Sequence, residues 1–262
     1  MAIADRLDLT LRLVRGARRI SLADLADRLG VSPMTVRRDL DELQRQGLIR
    51  RVRGGAVSLA TQPENAGFAA RHGWQTATKM RIGAAAAALV EPGQTVLLDA
   101  GTTTAALAGH LIARAPLTVA VLSLQAADRL ADQPGIRLLV IGGESRPGER
   151  SLVGHLALRM LDELWFDCFL MSVGAVHCEL GWSEFSIEDA TVKQHALRRA
   201  ERAIAVADAT KLGARAFARI AELGAVDAFV TDDAATGAAS EPTVAEETLT
   251  AIRDAGVDVV LA

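Results

Sequence analysis

The run Leu97-Leu98-Asp99-Ala100-Gly101-Thr102-Thr103-Thr104 places a carboxylate, a glycine and three hydroxyls within six consecutive residues. An apolar stretch that ends in Asp and Gly and resumes with Thr reads as a strand turning tightly into a helix. The first N–H groups of a helix lack partners and carry the positive end of its dipole, so such a start favours a phosphate. Asp99 would then accept hydrogen bonds from the hydroxyls of a sugar. The same residues also suit a plain strand-to-helix connection with Thr as its cap.

Other candidates follow apolar, β-rich runs in the same way: Ser123, Gly142 with Gly143, Gly174 and Asp208. Ligands of open parallel sheets bind outside the carboxyl ends of the strands. These positions, distant in sequence, are therefore expected to line one crevice with Asp99, Gly101 and Thr102 to Thr104. Lysine usage points to the same places. Of 29 basic residues three are Lys, namely Lys79, Lys193 and Lys211, and 26 are Arg. A Lys is a compact charge that contacts phosphate as a point charge. Lys211 stands three residues after Asp208, and Lys193 stands one helical turn after Asp189. Arg146 and Arg150, in a Gly-rich stretch, could reach an anion from a loop, although solvated loop charge is the first reading. His155 and His177 have no partners at metal-ligand spacing, and Cys168 and Cys178 read as reduced, partly buried thiols rather than a disulfide framework. No metal, cofactor or catalytic residue is expected. Trp74, Trp165 and Trp182 read as packing residues, Trp182 with a second option of capping the crevice.

A different chemistry gathers near the amino terminus. Ser32, Pro33, Met34, Thr35, Arg37 and Arg38 stand at the start of a segment with a helical apolar stripe, and Arg50, Arg51 and Arg53 follow shortly after. The early residues of a recognition helix face base edges in the major groove. There Arg pairs two donors with guanine and Met touches a thymine methyl. The later arginines suit phosphates beside the groove.

The elements that must carry these groups are legible from periodicity. Leu7, Leu11 and Val14 share one helical face, and Leu22, Leu25, Ala26 and Leu29 share another. Gly30 ends that second helix, Ser32 caps a third with Pro33 at its first position, and Val36, Leu40 and Leu43 form its buried stripe. Gly47 closes it. Leu48 to Val57 reads as a strand pair turning at Gly54 and Gly55. Residues 1–57 thus form a winged helix-turn-helix, residues 58–78 a linker, and residues 79–262 an α/β domain. In that last part a helix containing Ala84 to Val90 opens a series of strands over Thr95 to Leu98, Leu117 to Leu122, Arg137 to Ile141, Asp167 to Ser172, Ala203 to Ala207 and Ala225 to Val230. Helical stretches between them imply a mostly parallel, doubly wound sheet. Ala234 to Ser240 reads as a loop.

Charge divides the chain along the same boundary. Up to Val57 there are 12 Arg and 7 acidic residues, giving +5, against −8 for the remainder. A basic head on an acidic body implies a polyanion partner for the head alone. Aromatic residues make up 3% and Tyr is absent, which argues against a stacking platform for single-stranded nucleic acid. No secretory pattern opens the chain, and the longest apolar run, Ile82 to Val90, is too short to span a bilayer, so a cytoplasmic protein without membrane attachment is expected.

The segment VSPMTVRRDLDELQRQGLIRRVRGGAV resembles the winged helix-turn-helix of the DeoR family of bacterial regulators, and LLDAGTTT, VIGGE, LVGHLA, FDCFLMSVGAV and VADATKLG continue the likeness in that family's order. Arg53 stands where the family usually has His, Val121-Leu122-Ser123 where it has Thr-Asn-Ser, and Asp189 where it has Glu. The resemblance implies a fold similar to sugar-phosphate isomerases in the second domain. It implies a repressor that binds a double-stranded DNA operator, is released by a phosphorylated sugar effector, and assembles as a homo-oligomer, dimer or tetramer. It also places Asp189, Lys193, Asp208 and Lys211 at the border of the effector pocket. The competing reading is an isomerase-like enzyme with a fused DNA-binding head; a constitutive DNA-binding protein is a third. The missing Asn at Leu122 leaves the identity of the effector open.

Overall fold

The computed structural model describes residues 6, 7, 9–11, 13, 14, 19–45, 49–52, 54–58, 68–235 and 243–262. The chain divides into two compact units, Met1–Trp74 and Gln75–Ala262.

In the first unit the described residues between 6 and 14 are helical. They are followed by β1 (Arg19–Ser21), α1 (Leu22–Leu29), α2 (Pro33–Arg45), β2 (Ile49–Val52), β3 (Gly55–Ser58) and α3 (Phe68–His72). The caps follow from residue type. The Ser21 side chain accepts from the Asp24 N–H to start α1, and Gly30 at φ 63° ends it. Ser32 Oγ accepts from the Thr35 N–H at 3.2 Å to start α2. Leu25, Ala26, Leu29, Val36, Leu40 and Leu43 close on Leu11, Val14, Ile20, Ile49 and Ala56 as one core. Arg6 reaches across this unit to α2 with a two-pronged pair to Asp39, at 2.7 and 3.0 Å.

The expected hairpin is a three-stranded sheet in the order β1-β3-β2. Strand β1 has a single buried apolar residue, Ile20, too little to show a period of two. Its pairing explains Gly55: a Cβ there would lie 2.1 Å from the Ile20 carbonyl oxygen. Arg53 and Gly47 lie outside the described residues. Within the stretch read as linker, α3 is helical, Trp74 packs on the first core and the next helix already begins at Thr76.

The second unit comprises α4 (Thr76–Ala88), β4 (Thr95–Leu98), α5 (Thr102–Leu111), β5 (Leu117–Val121), α6 (Leu124–Leu130), β6 (Ile136–Val140), β7 (Glu144–Ser145), β8 (Leu152–Val153), α7 (His155–Asp162), β9 (Phe166–Ser172), β10 (Ala175–His177), β11 (Gly181–Glu184), α8 (Ile187–Leu197), β12 (Ala200–Val206), β13 (Ala218–Ala221), β14 (Ala228–Thr231), α9 (Val244–Asp254) and β15 (Asp258–Leu261). Seven strands form one sheet in the order β15-β14-β12-β9-β4-β5-β6. Every pairing in it is parallel. Successive strand residues alternate between two layers. Val96, Leu98, Cys168, Leu170, Ile204 and Val206 face α4, α5 and α6. Leu97, Phe169, Met171, Ala203, Ala205 and Phe229 face α7, α8 and α9.

Strand β15 and the antiparallel sheet β10-β11-β13 were not expected from the sequence. The first is a half-exposed edge, and the second is built of strands of three or four residues. The last predicted strand, Ala225 to Val230, is shifted: Leu223–Ala225 is a 3-10 turn and β14 begins at Ala228. Residues 233–235 of the Ala-rich stretch form a further 3-10 turn, and 236–240 lie outside the described residues. Among the described residues no helix is long and apolar enough to cross a membrane.

Candidate functional site

At the start of α2, Met34 is 56% exposed, and Ser32, Pro33, Arg37 and Arg38 are exposed as well, with Thr35 half-buried. The face opposite the Val36, Leu40 and Leu43 stripe therefore presents cations and an apolar tip to solvent. Arg51 is instead paired with Asp41 of the same helix, and its backbone N–H donates to Gln44 Oε1 at 3.0 Å. Arg50 lies on β2, paired with Val57 of β3.

The second candidate region lies where the sheet reverses its order. Strand β4 comes first in the sheet but sits in its middle, with β5 and β6 on one side and β9, β12, β14 and β15 on the other. Asp99 directly follows β4 and Ser172 ends the neighbouring β9. Asp99 Oδ2 accepts from the Ser172 N–H at 2.9 Å and from Lys193 Nζ at 2.5 Å. Lys193 Nζ also donates to the Ser172 carbonyl at 2.9 Å and lies 3.1 Å from Ser172 Oγ and from Glu184 Oε2. Lys193 is 2% exposed and Asp99 3%. Burial pulls the Lys193 ammonium toward the neutral amine, but the Asp99 and Glu184 charges outweigh it and hold the group above the ordinary lysine value. Burial also pushes the Asp99 carboxyl up, against the pull of Lys193. The two shifts differ in origin: burial dominates for Asp99, and the charges of Asp99 and Glu184 dominate over burial for Lys193.

This cluster changes the sense of a sequence expectation. Lys193 was expected as a charge for a ligand phosphate, yet its three N–H donors are engaged by protein acceptors. Ser172 and Glu184, which complete the cluster, were not singled out. Their partners are 73 and 9 residues away, and neither carries a local mark beyond Ser172's place at a strand end.

Gly101 adopts φ 146°, and a Cβ there would lie 2.8 Å from Ser172 Oγ, so the turn into α5 needs glycine. Thr102, Thr103 and Thr104 are buried, and Thr104 Oγ1 donates back to the Gly101 carbonyl at 3.1 Å. Gly174 is tight against Glu184 and the Phe185 ring, and Lys211 Nζ stands 5.8 Å from the centre of that ring. The fold thus gathers Asp99, Gly101, Gly174, Lys193 and Lys211 around Ser172, Glu184 and Phe185. Asp189, one turn before Lys193, is paired with Arg146, which corrects the view of Arg146 as solvated loop charge.

Other candidates have local duties. Ser123 Oγ caps α6 by accepting from the Ala126 N–H at 3.3 Å. Asp208 is 4% exposed and accepts from Thr210 to begin a 3-10 turn. A Cβ at Gly143 would lie 2.5 Å from the Val153 carbonyl oxygen, so this glycine serves the packing of β8. Gly142 is exposed beside Met160. Lys79 is buried on α4. Trp182 is fully buried, donating to the Leu223 carbonyl at 3.0 Å, so it does not cap the crevice. Trp165, read as a packing residue, is 68% exposed and packs beneath the Arg199 guanidinium. Both thiols are free; burial pushes the Cys168 thiol up to about 12, which keeps it protonated and unreactive.

Comparison with known proteins gives the following likenesses. Residues 6–62 match the DeoR-like helix-turn-helix domain family. Residues 74–233 match the DeoR C terminal sensor domain family. The HTH-type transcriptional repressor GlcR of Bacillus subtilis is 35% identical over 228 residues, covering 87% of this chain and 88% of the repressor. The glycerol-3-phosphate regulon repressor of Escherichia coli is 29% identical, covering 85% of this chain and 88% of that one. Among solved structures, ribose 5-phosphate isomerase A from Methanocaldococcus jannaschii is 19% identical with a TM-score of 0.38, covering 51% of this chain and 53% of that one.

Proposed function

The chain belongs to the DeoR family of transcriptional regulators, and from that premise we propose that it is an operator-binding repressor released by a phosphorylated sugar or a related phosphorylated metabolite. Its reading head lies within residues 1–74 and its sensor within 75–262. Arg37, Arg38, Met34 and Thr35 enter the major groove, and Arg50 and Arg53 meet phosphates. A two-fold assembly, dimer or tetramer, follows from the paired half-sites that helix-turn-helix proteins read.

One observation carries the sensing role. The sheet reverses its strand order at β4, and the crevice outside such a point is where open α/β sheets hold ligands. There Gly101 turns the chain into a ten-residue helix whose first N–H groups suit a phosphate. Lys193 and Glu184 fix Asp99 beside it as a hydroxyl acceptor. Gly174, Lys211 and Ser123 border the crevice. The name of the Escherichia coli relative, which refers to a phosphorylated polyol, agrees with this ligand class. Sensing rather than turnover is favoured by Lys193 itself: a lysine held as an ammonium by two carboxylates is a poor proton shuttle near neutral pH.

The test is a gel-shift titration of the full chain on an operator fragment with a panel of phosphorylated and unphosphorylated sugars. A phosphorylated compound is expected to release the DNA from the wild type and not from Gly101→Val. Release by no compound would defeat the sensor. Steady isomer formation from ribose 5-phosphate would favour the enzyme.

A further inference from the structure

The β7–β8 hairpin crosses the carboxyl end of the sheet between two anchors. On one flank it is tied by backbone. Leu124 donates to the Arg150 carbonyl at 3.1 Å, and Leu152 to the Leu122 carbonyl at 2.9 Å. Gln125 Nε2 adds a bond to the Glu149 carbonyl at 3.2 Å. The tip closes on itself, Arg146 N–H to the Ser151 carbonyl at 2.9 Å. On the other flank β8 packs against α8, with Val153 in one core with Ala190 and Val192, and nearer the tip Arg146 is ion-paired with Asp189 of that helix. The base of the hairpin is therefore held by backbone bonds and by packing on α8, and its tip meets that helix through an exchangeable ion pair, with Glu188 close enough to feel the Arg146 charge.

That pair stands at the end of an ionic chain. Asp189 lies one turn before Lys193, Lys193 holds Asp99, and Asp99 adjoins the Gly101 turn. Lys193 has no donor left for a ligand. Arg146 differs: its side chain is 29% exposed and that of Asp189 15%, so solutes reach both while water screens them only in part. A guanidinium takes two oxygens of a phosphate as readily as two of a carboxylate, and a phosphate carries more charge. The same hairpin holds a second group in want of a partner. Ser151 is 3% exposed, and its Oγ finds no hydrogen-bond partner among the described residues. Buried hydroxyls are nearly always satisfied, which points to a polar group arriving there. Ser151 pairs by a β-bridge with Ser123, which places that hydroxyl at the carboxyl end of β5.

We propose that Arg146 is an exchange latch of the effector site: Asp189 holds its guanidinium until the anionic group of a ligand takes it, and the exchange frees the hairpin tip from Asp189. This rests on the crevice being the effector site, as proposed above. The ligand chemistry implied is a phosphate monoester, with a hydroxyl or phosphate oxygen for Ser151. The helix start then contributes neutral N–H donors and the hairpin contributes the charge.

Titration calorimetry of the full chain with inorganic phosphate at low ionic strength tests this. A latch makes the two partners act in opposite directions. Arg146→Gln is expected to bind phosphate about fivefold more weakly than wild type, and Asp189→Asn, which removes the internal competitor, about fivefold more tightly. The double variant should match Arg146→Gln. Affinity unchanged or lowered alike in both single variants would overturn the latch and mark the pair as a structural pin. Gly101→Val separates this from the reading beneath it. If that variant abolishes phosphate binding while the two single variants move together, the crevice stands and the latch falls. If it leaves phosphate binding intact while the single variants oppose each other, the latch stands and the helix-start site falls. No measurable phosphate binding by any form would remove both.

Discussion

The two units use charge in opposite ways. On α2, Arg37 and Arg38 are exposed, and neither is held by an ion pair or hydrogen bond of its side chain among the described residues. Outside β4 and β9, Lys193 and Asp99 are almost completely buried and paired with each other, and Glu184 completes the cluster. The difference matches the size of what each would bind. A duplex is met by a surface, whose charges stay solvated until contact and are screened by salt. A small metabolite must be enclosed, and the enclosing groups must hold their geometry before it arrives. Exposed charge is then cheap to change and important for binding, whereas buried charge is important for the fold first.

That contrast can be broken by substitution. The largest effect is expected for Lys193→Met, which strands Asp99 and Glu184 without a cation. Removing one partner of a buried pair costs about 3–5 kcal/mol, read as a fall in the urea midpoint of the second unit. If Lys193→Met unfolds no more easily than Arg37→Ala, the buried cluster is not what holds Asp99. Arg38→Ala should do the reverse. It leaves thermal stability unchanged and weakens operator binding by roughly 1–3 kcal/mol if the contact is to a base edge. Equal weakening on operator and random duplex, measured by fluorescence anisotropy, would reassign it to a phosphate. Ser32→Ala sharpens the comparison further, because it removes the α2 cap and leaves Arg37 and Arg38 in place. About 1 kcal/mol of stability should be lost from the first unit, with DNA affinity following only through the folded fraction.

The smallest effect concerns pH. Asp167 accepts from the Thr95 N–H at 2.6 Å and from Thr95 Oγ1 at 2.7 Å, which holds its carboxyl below the ordinary aspartate range. A depressed carboxyl stabilises the fold fully above its unfolded value, and the contribution is lost as pH falls through the folded one. Asp167→Asn should therefore lower stability slightly at neutral pH and flatten the profile on the acid side, below about pH 4, without changing its slope near pH 7. A change in slope near pH 7 would contradict the assignment.

Much of this architecture is written locally. The stripe of Leu22, Leu25, Ala26 and Leu29, the Gly30 stop and the Ser32 cap are each decided within one helical turn, and all three are found in place. Six of the seven parallel strands are visible as apolar runs. What is hidden is what depends on distant partners. Strand β1 exists because β3 lies beside it, and β15 because β14 offers an edge. The candidate site divides in the same way. Asp99 and Gly101 are conspicuous in sequence because a strand end and a turn are local events. The duty of Lys193 is not, because Asp99 lies 94 residues earlier. Arg146 looked like one more loop charge until the fold brought α8 to it.

The position of β4 has a consequence in time. It is the first strand of the sheet to be synthesised, yet it lies at the centre, and its neighbour Ser172 follows Asp99 by 73 residues. Domains emerge and fold from the amino terminus onward, and long-range pairings close late. On the ribosome the basic head is complete before half of the crevice has been made. A polypeptide interrupted between β6 and β9 thus possesses the part that grips and lacks the part that listens.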